Sequence, residues 1–305
     1  ASLARLTPKE KFPLVAIVVS DEAATYRPEF EWLGEKLRTL GHDVHVVEPA
    51  QLMQMGDGSY IPVEGAPRRV DILYRFFELF DLANVKGADG IFNAVEAGTV
   101  MLTPPMKAFQ EEKLGLALLH HPQLAEFWKE NLPEDHHEAL FRIVPQTWIM
   151  EKTELPPTAV LHAPGFAGRP IREWTELAEA SQRERNLIIK ASGFHETAWG
   201  ARSVTLGSDV SRDEWLEAIE NALSPDNETF HVMQAYHKPS RLTHPVYADD
   251  GSVVPADGRV RLCPYFFVDN DTVELSGILS TFCPADKKII HGMSDAALLP
   301  CHLVP

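Results

Sequence analysis

The segment Leu187-Ile-Ile-Lys190-Ala-Ser-Gly193-Phe-His-Glu-Thr-Ala-Trp-Gly200-Ala-Arg202-Ser-Val204 sets one lysine inside an apolar run, then a loop bounded by two glycines. An ammonium in such a run is costly unless it meets a counter-charge. Lysine is a compact cation on a flexible stem and suits phosphate oxygens. Glycines at 193 and 200 would let backbone N–H groups approach a polyphosphate closely. The order is not that of a Walker loop, because Lys190 precedes the loop and Gly-Lys-Ser/Thr is missing. The plainer alternative is an edge strand followed by a surface loop.

Other reactive residue types narrow the field. Cys263, Cys283 and Cys301 lack metal-ligand spacing and cannot all pair, which points to a reduced, cytoplasmic setting. The histidines are scattered, with no His-Glu-x-x-His pattern. A formal net charge of −16 repels phosphate backbones, so no nucleic-acid partner is expected. A small polyanion needs only a local cluster of cations and stays allowed. No apolar run approaches the roughly 18 residues that span a bilayer, so no membrane partner is expected either.

The elements that must position Lys190 follow from hydrophobic periodicity. At 305 residues the chain can bury a sizeable core, divided among two or three subdomains. Pro13–Ser20 is continuously apolar, as in a strand buried on both faces. Arg27–Leu40 has helical spacing and stops at Gly41, and Asp43–Glu48 reads as the next strand. This βαβ opening predicts a parallel N-terminal layer over 1–69. It carries no Gly-x-Gly-x-x-Gly. Residues 70–155 read as strands at Val70–Arg75 and Gly90–Val95, a helix from Pro104 to Leu119, and further helices before a strand at Val144–Met150. Residues 156–305 read as a helix over Arg172–Arg185, the Lys190 strand, a helix opened by a capping box at Ser211, a strand at Thr229–Tyr236, and an antiparallel pair, Arg259–Val268 with Thr272–Leu279.

Along these elements the polar residues Arg75, Glu78, Asn93, Lys113, Lys190 and Gln234 occur in a telling order. It resembles that of the circularly permuted ATP-grasp ligases, and is similar to the synthetase domain of the glutathionylspermidine synthases, over roughly residues 70 to 305. The resemblance implies an α/β fold with a two-lobe nucleotide cleft behind the βαβ layer. It implies that Arg75 contacts the γ-phosphate and the incoming carboxylate, and that Arg202 touches phosphate or the acyl donor, both as catalytic residues with Lys190. Glu78 and Asn93 would be Mg²⁺ ligands. Glu78 stands three residues after Arg75 where relatives have two, and position 91 is Ile where relatives carry an acid, leaving Glu96 and Asp89 as alternatives. Lys113 and Lys190 would hold ATP phosphates under a flap running from Gly193 to Gly200. Gln234, Ala235 and Tyr236 would form the hinge that reads adenine.

What the resemblance implies in chemistry is ATP-dependent amide or peptide-bond formation between a small-molecule or peptide carboxylate and an amine, through an acylphosphate. Two other readings stay open: an ATP-binding module without catalysis, favoured by the offset acid, and a sugar-nucleotide-dependent transferase, suggested by the βαβ opening alone.

Overall fold

The computed structural model describes residues 12–198, 201–269, 272–292 and 295–301. They fall into two compact units. One runs to Lys107 and takes in Phe266–Ser276; the other comprises Ala108–Tyr265 and the chain from Gly277 onward. Among the described residues no helix is long and apolar enough to cross a membrane.

The first unit is built on a parallel sheet. β1 (Leu14–Val19) pairs on one side with β2 (Asp43–Val47) and on the other with β6 (Ile72–Phe76), and β7 (Met101–Thr103) pairs with β6. Every residue of β1 is buried. Its alternate side chains serve two cores, because successive residues of a strand point to opposite faces. Leu14, Ala16 and Val18 pack with Ile61, Leu73 and Ile91; Val15, Ile17 and Val19 pack with Val44 and the apolar stripe of α1 (Arg27–Thr39). Beyond α1, Gly41 takes φ +87°, a left-handed turn that stops the helix without a Cβ penalty. β3 (Met53–Met55), β4 (Gly58–Val63) and β5 (Ala66–Arg69) form a small antiparallel sheet, with the β3–β4 turn at Gly56-Asp57.

One predicted strand is a helix. Gly90–Val95 lies within α2 (Ala88–Glu96). Ile91 and Ala94, three apart, are the residues it buries, while Phe92 and Asn93 face outward. The short apolar run fits either period, and packing against the β1 face decides in favour of the helix.

The second unit opens with α3 (Leu114–Leu119), α4 (Ala125–Asn131) and α5 (Glu134–Ile143). The helix expected from Pro104 to Leu119 is broken into a 3₁₀ turn at Ala108–Glu111 and the short α3. The reason is competition for donors from a segment distant in sequence. The backbone N–H of Lys113 donates to the Ser192 carbonyl at 2.9 Å, and that of Leu114 to the Ser192 hydroxyl at 2.8 Å. The helix expected over Arg172–Arg185 is likewise shorter, a 3₁₀ segment at Trp174–Glu179 that buries Trp174, Leu177 and Ala178.

Two further sheets are antiparallel, the first within this unit and the second with Phe266–Ser276 of its long strands counted in the first unit. The first has the order β10 (Thr205–Leu206), β9 (Leu187–Ala191), β11 (His231–Ala235), β8 (Thr147–Met150). One of its faces, with Ile189, Met233 and Met150, packs on Trp215 and Ile219 of α6 (Arg212–Ala222). The predicted capping box holds: the Ser211 hydroxyl accepts from the Glu214 N–H. The second sheet has the order β12 (Arg241–Tyr247), β13 (Val253–Asp269), β14 (Thr272–Pro284), β15 (Ala297–Leu299).

Candidate functional site

The alternation that sends Ile189 and Met233 into the α6 core sends Ile188, Lys190, Val232, Gln234 and Thr147 to the other face of the first sheet. Lys190 opposes Val232, so Gln234, two residues along β11, is its diagonal neighbour. The Lys190 Nζ donates to Gln234 Oε1 at 2.8 Å. Gln234 Nε2 donates to Thr147 Oγ1 at 2.9 Å, and the Thr147 hydroxyl donates to the Pro145 carbonyl at 2.8 Å.

Lys113 arrives from the N-terminal end of α3. Its Nζ donates to the Ser192 carbonyl at 3.0 Å and to the Ala198 carbonyl at 2.7 Å. It therefore ties the end of β9 to the loop that follows. The Ser192 hydroxyl donates to the Glu112 carboxylate, which holds the turn beneath it.

Lys113 and Lys190 line a cavity of about 480 Å³ within the second unit. Arg261, Lys288, His237 and His291 line it too, with apolar wall from Ile188, Val204, Ile289 and Ile290. Among the described residues no carboxylate lines it. Lys288 pairs with Asp209, and its backbone carbonyl accepts from the Tyr236 hydroxyl at 2.7 Å. Arg261 reaches the Ile290 carbonyl at 3.1 Å. Burial holds the Lys190 ammonium below its ordinary value of 10.5, and the charge of Lys113 adds to the effect. Burial lowers Lys113 as well, opposed by Glu112. Two like charges thus share a partly dry cavity without a carboxylate on its wall, an arrangement that an anion relieves.

The remaining expected site residues are distributed differently. Gly193 is buried, its carbonyl accepts from the Thr229 hydroxyl at 2.7 Å, and a Cβ there would lie 2.8 Å from the Glu111 carbonyl oxygen. A glycine is required at 193 by this close backbone approach. Gly200 lies outside the described residues. Arg202 lines a separate hollow with Ile189, Glu214, Glu217 and His231, on the α6 face of the sheet and away from Lys190. The hinge amides are already engaged: Ala235 donates to the Gln146 carbonyl at 2.8 Å and Tyr236 to the Asn186 carbonyl at 2.9 Å. A base reading those two N–H groups would have to break sheet bonds.

Arg75, Glu78 and Asn93 belong to the first unit. Arg75 is 9% exposed; its Nη1 donates to the Phe77 carbonyl at 2.5 Å and its Nε to Pro104 at 3.4 Å. Glu78 occupies the N-cap position of the 3₁₀ turn Leu79–Asp81, and Asn93 sits on the exposed side of α2, not at a strand end. Among the described residues no group of three or more His, Cys, Asp or Glu could hold a metal ion. Mg²⁺ in nucleotide sites takes one or two carboxylates together with substrate phosphates rather than an all-protein cage.

Arg261, Lys288, His237, His291 and Thr147 were not singled out as site residues by sequence reasoning. Lys287-Lys288 beside Ile289-Ile290 carried the same signal as Lys190, cations abutting an apolar pair in an acidic chain. Thr147 had no such signal, since a β-branched residue in a strand is ordinary.

No protein-family model and no curated protein matches this chain. Among solved structures it is similar to D-alanyl-alanine synthetase A from Vibrio cholerae, at 11% identity and a TM-score of 0.36 over 92% of this chain and 87% of that one. It is also similar to D-cycloserine synthetase, at 12% identity and a TM-score of 0.35 over 94% and 90%. Likeness at this level assigns neither fold nor activity, so the functional reading stands on the cavity itself.

Proposed function

We propose that the protein is an ATP-dependent carboxylate–amine ligase that works through an acylphosphate, with the nucleotide's phosphates in the Lys113–Lys190 cavity. One observation carries the reading. A chain of formal charge −16 concentrates Lys113, Lys190 and Arg261 around one cavity whose described lining holds no carboxylate, while a fourth cation there, Lys288, is paired with Asp209. Half-buried ammonium groups without a counter-ion are destabilising, and a polyphosphate is the abundant ligand class that would relieve them.

The chemistry asks little else of the chain. The substrate's carboxylate oxygen attacks the γ-phosphorus, the bond to ADP breaks, and the amine then displaces phosphate from the acyl carbon. Phosphoryl transfer is mainly positioning and charge neutralisation. Lys113 and Lys190 would neutralise the charge spread over the phosphoryl oxygens. The apolar wall would limit water, which otherwise hydrolyses an acylphosphate. Mg²⁺ would enter as the Mg-ATP complex, and the reading does not require the permuted, glutathionylspermidine-synthase-like order.

Trapping with hydroxylamine tests it. Incubation with Mg-ATP, hydroxylamine and a panel of amino acids, short peptides and other carboxylates should release ADP and give the hydroxamate of the true substrate. Mg-ATP binding without ADP release for any pair selects the non-catalytic binding module. Stabilisation by UDP-sugars but not by ATP selects the transferase.

A further inference from the structure

The bond between Lys190 and Gln234 has a polarity that the chain dictates. The two ends of a glutamine amide are told apart by the hydrogen bonds they make. The Pro145 carbonyl can only accept, so the Thr147 hydroxyl at 2.8 Å must spend its single proton there. The Thr147 oxygen then has only lone pairs left for Gln234, which must turn its amide NH₂ toward it, 2.9 Å away. That turns the Gln234 carbonyl oxygen onto Lys190 at 2.8 Å. Gln234 is 7% exposed and Thr147 fully buried, so both groups take their partners chiefly from the protein.

The consequence is electrostatic. Lys190 is held in place by a neutral oxygen, and the charge acting on it is that of Lys113. A carboxylate at 234 would hold the ammonium equally well, but would cancel the charge that the cavity offers to a ligand. We infer that Gln234, oriented by the Thr147–Pro145 relay, is a positioning residue that fixes Lys190 while keeping it uncompensated, and so sets the cavity's selectivity for polyanions. The inference deepens the ligase reading and rests on it.

The test uses the full chain, its Gln234→Glu variant and its Thr147→Val variant. Inorganic tripolyphosphate and Mg-ATP are titrated by calorimetry, and the pH profile of acylation at Lys190 is followed by mass spectrometry. Gln234→Glu is nearly isosteric. It should weaken tripolyphosphate binding on the order of tenfold to a hundredfold, the loss expected when a charged hydrogen bond is cancelled, and move the Lys190 profile to higher pH. Thr147→Val should weaken binding as well, and it introduces no charge. A Gln234→Glu variant that binds tripolyphosphate as the parent does, or whose Lys190 profile is unmoved, overturns the inference. A parent that binds tripolyphosphate but not Mg-ATP overturns the nucleotide reading alone, and the variants then still decide the role of Gln234. A parent that binds neither overturns both.

Discussion

Replacing Lys190 by Met tests the proposed phosphate site most directly, because it keeps the apolar stem and deletes the charge. Two effects oppose each other in the unliganded protein. The uncompensated ammonium disappears, whereas Gln234 Oε1 loses its donor 2.8 Å away. An orphaned buried acceptor costs about 1–3 kcal/mol, and a half-buried charge without a counter-ion costs at least as much. The melting temperature without ligand should therefore hold or rise. With Mg-ATP the balance reverses. At 100 times its dissociation constant a ligand adds about 2.7 kcal/mol of stability. Losing a charged hydrogen bond worth about 1.5–3 kcal/mol weakens binding roughly tenfold to a hundredfold. At the same ligand concentration the stabilisation then falls to between about 1.4 and about 0.4 kcal/mol. At about 2–4 °C per kcal/mol, a shift of roughly 5–11 °C shrinks to roughly 1–6 °C, well within the resolution of scanning fluorimetry. A Mg-ATP shift that is the same in Lys190→Met and in the parent would refute the reasoning, whatever the variant's own stability.

Arg202→Ala should change Mg-ATP affinity less than about twofold by calorimetry, below 0.5 kcal/mol, because Arg202 lines the hollow on the α6 face; a loss like that of Lys190→Met would put Arg202 back among the phosphate contacts. Gly193→Ala should lower stability in urea by about 1–3 kcal/mol, since its Cβ would meet the Glu111 carbonyl at 2.8 Å; an unchanged midpoint would show that the Glu111 backbone gives way. Stability should fall as the solution is acidified below 6.5, because burial, with the nearby charge of His195, holds His231 below that ordinary value. Between the lowered value and 6.5 the unfolded chain binds more protons, so folding loses free energy as pH drops through that window. Urea titrations at about pH 7.5 and about pH 5 should show a smaller loss in His231→Gln than in the parent.

The parallel opening of the chain was legible because β1 is apolar at every position, and burial on both faces leaves no other reading. α1 and α6 were legible from their spacing and from the stops and caps at Gly41 and Ser211, which act locally. α2 was not, because a six-residue apolar run satisfies either period until a neighbouring surface selects one. The break before α3 was equally hidden, since the Ser192 groups that take the N–H donors of Lys113 and Leu114 lie almost eighty positions further along the chain.

The sequence by itself pointed to a strand over Leu187–Ala191 with one lysine among apolar residues, and left open whether that strand was internal or at an edge. It also determined that a polyanion would need a local exception to a chain of charge −16. Only the tertiary structure decided which face Lys190 occupies, that Lys113, Arg261 and Lys288 share its cavity, and that Arg202 does not. Strand alternation names two faces but not which one meets α6, and a cavity's charge is a sum over residues that only long-range pairing brings together.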